Sequence, residues 1–302
     1  MGVAIASLLR TNSAHDFEIF VCTEQRNREA EEKLTAVVSR FGNASVKFIE
    51  FKLDQSRGYL PTDQYLTVAA YIRLFLTEFL DPSVKRVLYL DGDLVVTTDI
   101  RELWETDLNG AFLAVVPEPH ELPGDREVCV YPYFNSGVML IDVERWREAN
   151  VLPGFLAYAQ ENAAHLKYHD QDVLNHTFAG KVRFLDYRWN FQSRWADFVP
   201  AKLNMSPETF RQVRRLPCIV HYTSKFKPWF YSDNPHYKKL YYEALALTPW
   251  KGYRPPDRTT GSIVRKLLTM KYVKERFRWY APELARGLKR LGRMARGIRS
   301  VC

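Results

Sequence analysis

Val87-Leu88-Tyr89-Leu90 is apolar at every position and runs straight into Asp91-Gly92-Asp93. A strand with no polar alternation has to be covered on both faces, which calls for helices on each side of a sheet. The flanking sequence supplies them. A β-rich run at Phe17–Thr23 and an alternating one at Val46–Leu53 enclose a charged helical stretch over Arg28–Arg40. Val3–Leu9 reads as a first helix, and Tyr65–Leu80 as a strongly apolar one ended by Asp81-Pro82. Beyond Asp93, strands are predicted at Phe112–Val116, Gly137–Ile141, Val182–Leu185 and Cys218–His221. Helices are predicted from Val143 to Asn150, over Leu152–Asn162 and over His169–Phe178. Strands alternating with helices predict an α/β fold with a doubly wound, Rossmann-like parallel sheet.

With 46% hydrophobic and 14% aromatic residues, wholesale disorder is excluded. The net charge of +8 is unevenly spread: residues 258–302 hold thirteen Lys/Arg against Glu275 and Glu283, so the rest is slightly acidic. Gly252-Tyr-Arg-Pro-Pro-Asp257 reads as a linker, giving a domain over 1–250 and a basic tail over 251–302. Cys22, Cys129, Cys218 and Cys302 lack metal-ligand spacing and read as reduced thiols of a cytosolic protein. No apolar run reaches membrane-spanning length, and the amino terminus lacks the basic start of a signal peptide.

Asp91 and Asp93 follow the buried strand, so they should emerge at the carboxyl end of the sheet, where open α/β folds bind ligands. Alternation across Gly92 points both carboxylates to one side. Their hard oxygens suit Mg²⁺ or Mn²⁺, and an imidazole from His221 shifts the preference toward Mn²⁺. His221 opens His221-Tyr-Thr-Ser-Lys-Phe-Lys-Pro-Trp229, a loop suited to an anion, with Lys227 as a point charge for phosphate. His169-Asp-Gln-Asp-Val-Leu-Asn175 places Asp170, Gln171 and Asp172 at the start of a short helix. Asn135 and Ser136 open a buried strand beside Gly137, where backbone can approach a ligand and an amide can meet sugar hydroxyls.

These four segments, in this order, resemble glycosyltransferase family 8, which includes glycogenin and the bacterial lipopolysaccharide galactosyl- and glucosyltransferases. The bacterial α-galactosyltransferase branch is the nearest. The resemblance covers about residues 3–230. It implies a GT-A fold, with a mixed and mostly parallel sheet, and transfer of a hexose from a UDP-sugar with retention, assisted by Mn²⁺. By position, Asp91, Asp93 and His221 match the metal ligands and Lys227 the diphosphate lysine. Arg73, Asn135, Ser136, Asp170 and Gln171 match contacts to the donor sugar, with Gln171 nearest the reacting carbon. Retention through a covalent intermediate would need a carboxylate nucleophile. An amide is a poor one, so front-face substitution is expected, with Asp172 or Asp170 as the minority alternative.

Two departures from the family pattern stand out. Family members place a buried strand ahead of the helix resembling Gly2–Leu9, with base and ribose contacts at its end. Without that strand, weak UDP binding is expected. Ser224 stands where the family usually has glycine in the phosphate loop.

In the tail, Leu284, Leu288, Leu291, Met294, Ala295, Ile298 and Val301 share one helical face. Arg286, Lys289, Arg290, Arg293, Arg296 and Arg299 take the other, and Pro282 suits the first turn. That is the pattern of a helix lying on an anionic membrane. The expected protein is therefore a hexosyltransferase on the cytosolic face of the membrane, taking UDP-glucose or UDP-galactose to a glycolipid such as a lipopolysaccharide core. The competing expectations are a non-catalytic, membrane-associated remnant and a self-glucosylating primer like glycogenin. Nucleic-acid binding lacks any accompanying fold signature.

Overall fold

The computed structural model describes residues 1–52, 68–119 and 132–268. They fall into two units: Met1–Lys225 with Pro235–Gly252, and Phe226–Asn234 with the chain from Tyr253 onward. The amphipathic helix expected over residues 284–301 lies outside the described residues.

In the first unit, helix α1 (Gly2–Thr11) precedes strand β1 (Phe17–Thr23). Every residue from Val3 to Leu9 is buried, because α1 is packed on two sides. Ile5, Ala6 and Leu9 meet Leu34, Val37 and Val38, while Ala4 and Leu8 meet Leu94 and Val96. Helix α2 (Arg28–Phe41) starts where the Asn27 side chain accepts from Ala30 N–H and stops at Gly42, at φ 74°. That left-handed stop suits glycine. It returns the chain to β2 (Ala44–Glu50), parallel to β1.

The central sheet has four strands in the order β3 (Arg86–Leu90), β6 (Phe134–Asp142), β5 (Leu113–Pro117) and β7 (Val182–Phe184). Strand β6 runs antiparallel to both its neighbours, whereas β5 and β7 are parallel. A third sheet orders β4 (Leu94–Val96), β9 (Ile219–His221) and β8 (Phe191–Gln192), with β4 antiparallel and β8 parallel to β9. The architecture is thus mixed α/β. Among the described strands, parallel pairing holds for β1–β2, β5–β7 and β8–β9.

Helices α3 (Val143–Glu148), α4 (Val151–Glu161) and α5 (Asp170–Thr177) cover the central sheet. Their core is aromatic: Trp146, Phe155 and Phe178 pack together, with Phe178 stacked on Phe112.

One predicted helix takes another form. Of the stretch Tyr65–Leu80, the described part is a 3₁₀ helix over Val68–Phe75 followed by one α-turn, Leu76–Phe79. Tyr71 through Leu76 are all buried, Arg73 included. The 3₁₀ form is the less favoured geometry for a free helix, so packing on every side has overridden intrinsic preference here.

In the second unit, Asp257 accepts from Tyr231 N–H at 2.8 Å and Ser232 N–H at 2.7 Å, which ties Phe226–Asn234 to the segment beginning at Tyr253. Helix α6 (Thr260–Leu268) follows. No helix among the described residues is long and apolar enough to cross a membrane.

Candidate active site

Asp91 and Asp93 sit at the junction of β3 and β4. Strand β3 is held by β6, and its ladder extends one step past the strand, where Asp91 N–H donates to Gly137 carbonyl at 2.9 Å. Strand β4 then pairs with β9 in a register that sets Leu94 opposite His221. Two strand pairings therefore bring the carboxylates to the imidazole across 128 residues of sequence. His221 Nε2 lies 3.0 Å from Asp93 Oδ1 and 3.5 Å from Asp91 Oδ2. One ligand atom from each of the three residues falls within 4.8 Å of the others.

This donor set fits a divalent cation. Ligand bonds of about 2.1 Å separate neighbouring donor atoms by roughly 3 Å, close to the spacing observed. Space is reserved for it as well. A Cβ built on Gly137 would lie 2.1 Å from His221 Cε1 and 2.6 Å from Asp91 Oδ2. The sequence predicts that glycine here lets backbone approach a ligand. What its missing side chain admits is the imidazole and the carboxylate.

Arg73 forms the adjoining wall. Its guanidinium donates to Asp91 Oδ1 at 3.1 Å, to Ser136 carbonyl and Oγ at 2.9 Å each, and pairs with Asp170 Oδ2 at 3.0 Å. Its carbon lies 4.5 Å from the Tyr89 ring centroid. The planar fork meets two carboxylates and a carbonyl at once, which an ammonium cannot do. Burial pushes the Asp170 carboxyl up to about 6, outweighing the opposing pull of Arg73.

Helix α5 presents the rest. His169, its N-cap, has φ 42° and meets the Tyr71 hydroxyl through Nδ1 at 3.0 Å. A positive φ at a non-glycine residue is strained, and here it immediately precedes Asp170. The Gln171 carbonyl oxygen accepts from Asn135 Nδ2 at 2.9 Å and Ser136 N–H at 3.0 Å, and its amide nitrogen donates to Tyr133 Oη at 3.1 Å. Asp172 points elsewhere. It accepts from Tyr133 Oη at 2.6 Å, Lys167 N–H at 2.7 Å and Tyr168 N–H at 2.6 Å.

The structure thus gathers Arg73, Asp91, Asp93, Asn135, Ser136, Asp170, Gln171 and His221 on connected contacts. Lys227 belongs to the second unit, where its N–H donates to Asp233 at 3.0 Å and its ammonium lies 5.7 Å from the Trp229 ring centroid.

Two groups escaped the sequence reading. Asn190, fully buried, hydrogen-bonds two residues of the site, His221 and Asn135. Glu118, just past β5, takes hydrogen bonds from Gln192 Nε2 and, at 3.1 Å, Arg194 Nη2, while burial pushes its carboxyl up. Gln192 is the sheet partner of His221. Only its alternation with apolar Phe191 could have flagged it.

The family model described as "Glycosyl transferase family 8" matches residues 1–233. General stress protein A of Bacillus subtilis is 27% identical over 82% of this chain and 89% of its own length. Lipopolysaccharide 1,2-glucosyltransferase of Escherichia coli is 28% identical over 85% of this chain and 77% of its own. Among solved structures, the galactosyltransferase LgtC with donor and acceptor sugar analogs superposes with a TM-score of 0.71. It is 22% identical over 86% of this chain and 94% of that one, so the likeness establishes the GT-A fold.

Proposed function

The chain belongs to glycosyltransferase family 8, and from that premise we propose that it is a retaining hexosyltransferase moving glucose or galactose from UDP to a glycolipid such as a lipopolysaccharide core. The observation that carries this reading is the meeting of Asp91, Asp93 and His221 within 4.8 Å, beside Arg73, Asp170 and Gln171. The glucosyltransferase relative supports the hexose and the acceptor class.

Asp91, Asp93 and His221 would hold Mn²⁺, with Mg²⁺ as the alternative. When bound, the cation supplies positive charge to a departing diphosphate. Lys227, matched by the family resemblance, is proposed as a point charge for phosphate. Arg73 keeps Asp91 and Asp170 fixed, and Asn135, Ser136, Asp170 and Gln171 orient the hexose. The C1–O bond to the diphosphate breaks while the acceptor hydroxyl bonds C1 on the same face and gives its proton to the departing diphosphate oxygen, which gives retention. Three facts favour this over a covalent intermediate. Gln171 offers an amide whose oxygen already accepts two hydrogen bonds, Asp172 is committed to three donors, and Asp170 is paired with Arg73. The protein's contribution is then positioning and fixed electrostatics.

The test is Mn²⁺-dependent release of UDP from UDP-glucose and UDP-galactose, with Asp93→Asn as the control. Release that survives the substitution overturns the mechanism. The same reading places the chain on the cytosolic face of the membrane through its basic tail. Co-sedimentation with vesicles rich in phosphatidylglycerol, and not with phosphatidylcholine alone, is the expected result. Equal sedimentation with both would remove that part.

A further inference from the structure

Asn190 closes the 3₁₀ turn Tyr187–Asn190, and β8 follows it directly. Its side chain is fully buried and joins two parts of the site. On one side it meets His221 Nδ1 at 2.9 Å through Oδ1. On the other, Nδ2 meets Asn135 Oδ1 at 2.8 Å.

The direction of these bonds follows from a backbone group. Gly137 N–H, which can only donate, reaches Asn135 Oδ1 at 3.1 Å, so that atom is the acceptor. Asn190 must therefore present its NH₂ to Asn135 and its oxygen to His221. An oxygen there requires a hydrogen on Nδ1, and the free electron pair of the imidazole is then assigned to Nε2, the nitrogen facing Asp91 and Asp93. The other half of Asn135 donates to Gln171 Oε1 at 2.9 Å. Ser136 N–H, reaching the same oxygen, fixes that direction independently.

Building on the function proposed above, we infer that Asn190 is a positioning residue with two separable tasks. It holds His221 in the tautomer and orientation that ligate a cation through Nε2, and through Asn135 it sets the amide of Gln171. Partners that hold the second nitrogen of a metal-binding histidine are worth about 10–100-fold in affinity.

Two substitutions separate the tasks. Asn190→Ala removes both. Asn190→Asp keeps an acceptor for His221 Nδ1–H but has no hydrogen for Asn135. Binding of Mn²⁺ alone, followed by the electron paramagnetic resonance of the free ion, should weaken about 10–100-fold in Asn190→Ala. In Asn190→Asp it should stay within about threefold of the unsubstituted chain. The KM for UDP-glucose or UDP-galactose should nevertheless rise about fivefold in Asn190→Asp, the worth of one hydrogen bond. A purely structural role predicts that both variants suffer alike, and equal loss of Mn²⁺ in the two overturns the inference. So does undiminished Mn²⁺ affinity in Asn190→Ala. If the unsubstituted chain binds no Mn²⁺, the metal reading fails and takes this inference with it. If it binds and Asn190→Ala binds equally, only the role of Asn190 falls.

Discussion

Gly137 faces the His221 imidazole so closely that a methyl group on its α-carbon would stand 2.1 Å from Cε1. No rotation of the ring alone resolves such an overlap, because Nδ1 is held by Asn190 and the ring is buried, with Nε2 facing Asp93 at 3.0 Å. Gly137→Ala should therefore weaken Mn²⁺ binding at least about tenfold. The β3–β6 pairing should survive, with about 1–3 kcal/mol lost to overpacking. Mn²⁺ titration and urea unfolding check the two halves. Unchanged affinity would show that the ring has room the structure does not give it.

This relationship marks the limit of what the sequence disclosed. The two aspartates and His221 were legible because they adjoin apolar strands and each carries metal-binding chemistry. What joins them was not. Leu94-Val-Val96 is too short to announce itself as a strand, yet its pairing with β9 is what carries Asp93 to His221. Asn190 sits between Trp189 and Phe191, and nothing in a lone amide among aromatic residues tells which partners it will find. Arg73 entered only through family resemblance, since an arginine in an apolar helix reads equally well as a solvated exception. Directions of strand pairing were hidden for a similar reason. Burial sets the apolar pattern of β6, and that pattern is the same whichever way the strand runs.

Asn12 gives a prediction about the frame alone. It is buried, its Oδ1 accepts from Ile100 N–H at 2.8 Å, its Nδ2 donates to Leu8 carbonyl at 2.8 Å, and its own carbonyl accepts from Asn43 at 3.0 Å. Asn12→Ala strands the Ile100 N–H without a partner in the core, which should cost about 1–3 kcal/mol. Mn²⁺ affinity should be unaltered, because Asn12 touches none of the proposed ligands. A loss below about 0.5 kcal/mol, the range of ordinary surface changes, would show that water or a shifted side chain replaces it.

The Asp170 carboxyl supplies a pH dependence whose sign is fixed. Burial lifts it from 3.8 to about 6 in the native chain. Between those values the folded form binds more protons than the unfolded one, so the contribution of Asp170 to stability is greatest below 3.8. It declines as pH rises to about 6. Asn at this position cannot titrate. In metal-free buffer, unfolding free energies of Asp170→Asn and the unsubstituted chain should therefore diverge as pH rises from about 3.5 to 6.5. The shift should favour the variant by on the order of 1–3 kcal/mol. A gap that stays constant, or moves the other way, would mean that Arg73 and not burial governs this carboxyl.

Arg73 answers to the same logic from the cationic side. It is 10% exposed by side chain and neutralises Asp91 and Asp170 together. Arg73→Met leaves the buried Asp170 carboxylate and the partly exposed one of Asp91 uncompensated, which should cost about 3–5 kcal/mol in metal-free buffer. A cation held by Asp91, Asp93 and His221 would replace part of the missing charge. Mn²⁺ should consequently raise the melting temperature of the variant by more than it raises that of the unsubstituted chain. Arg73→Lys separates charge from geometry. Its ammonium keeps the sign but cannot serve Asp91, Asp170 and Ser136 at once, so its stability should fall between the other two while UDP release falls nearly as far as in Arg73→Met. Thermal melts with and without Mn²⁺, run beside the release assay, read both effects. Were Mn²⁺ to stabilise all three proteins equally, the cation and the guanidinium would not be sharing the charge of Asp91, and the wall that Arg73 forms would be a matter of packing alone.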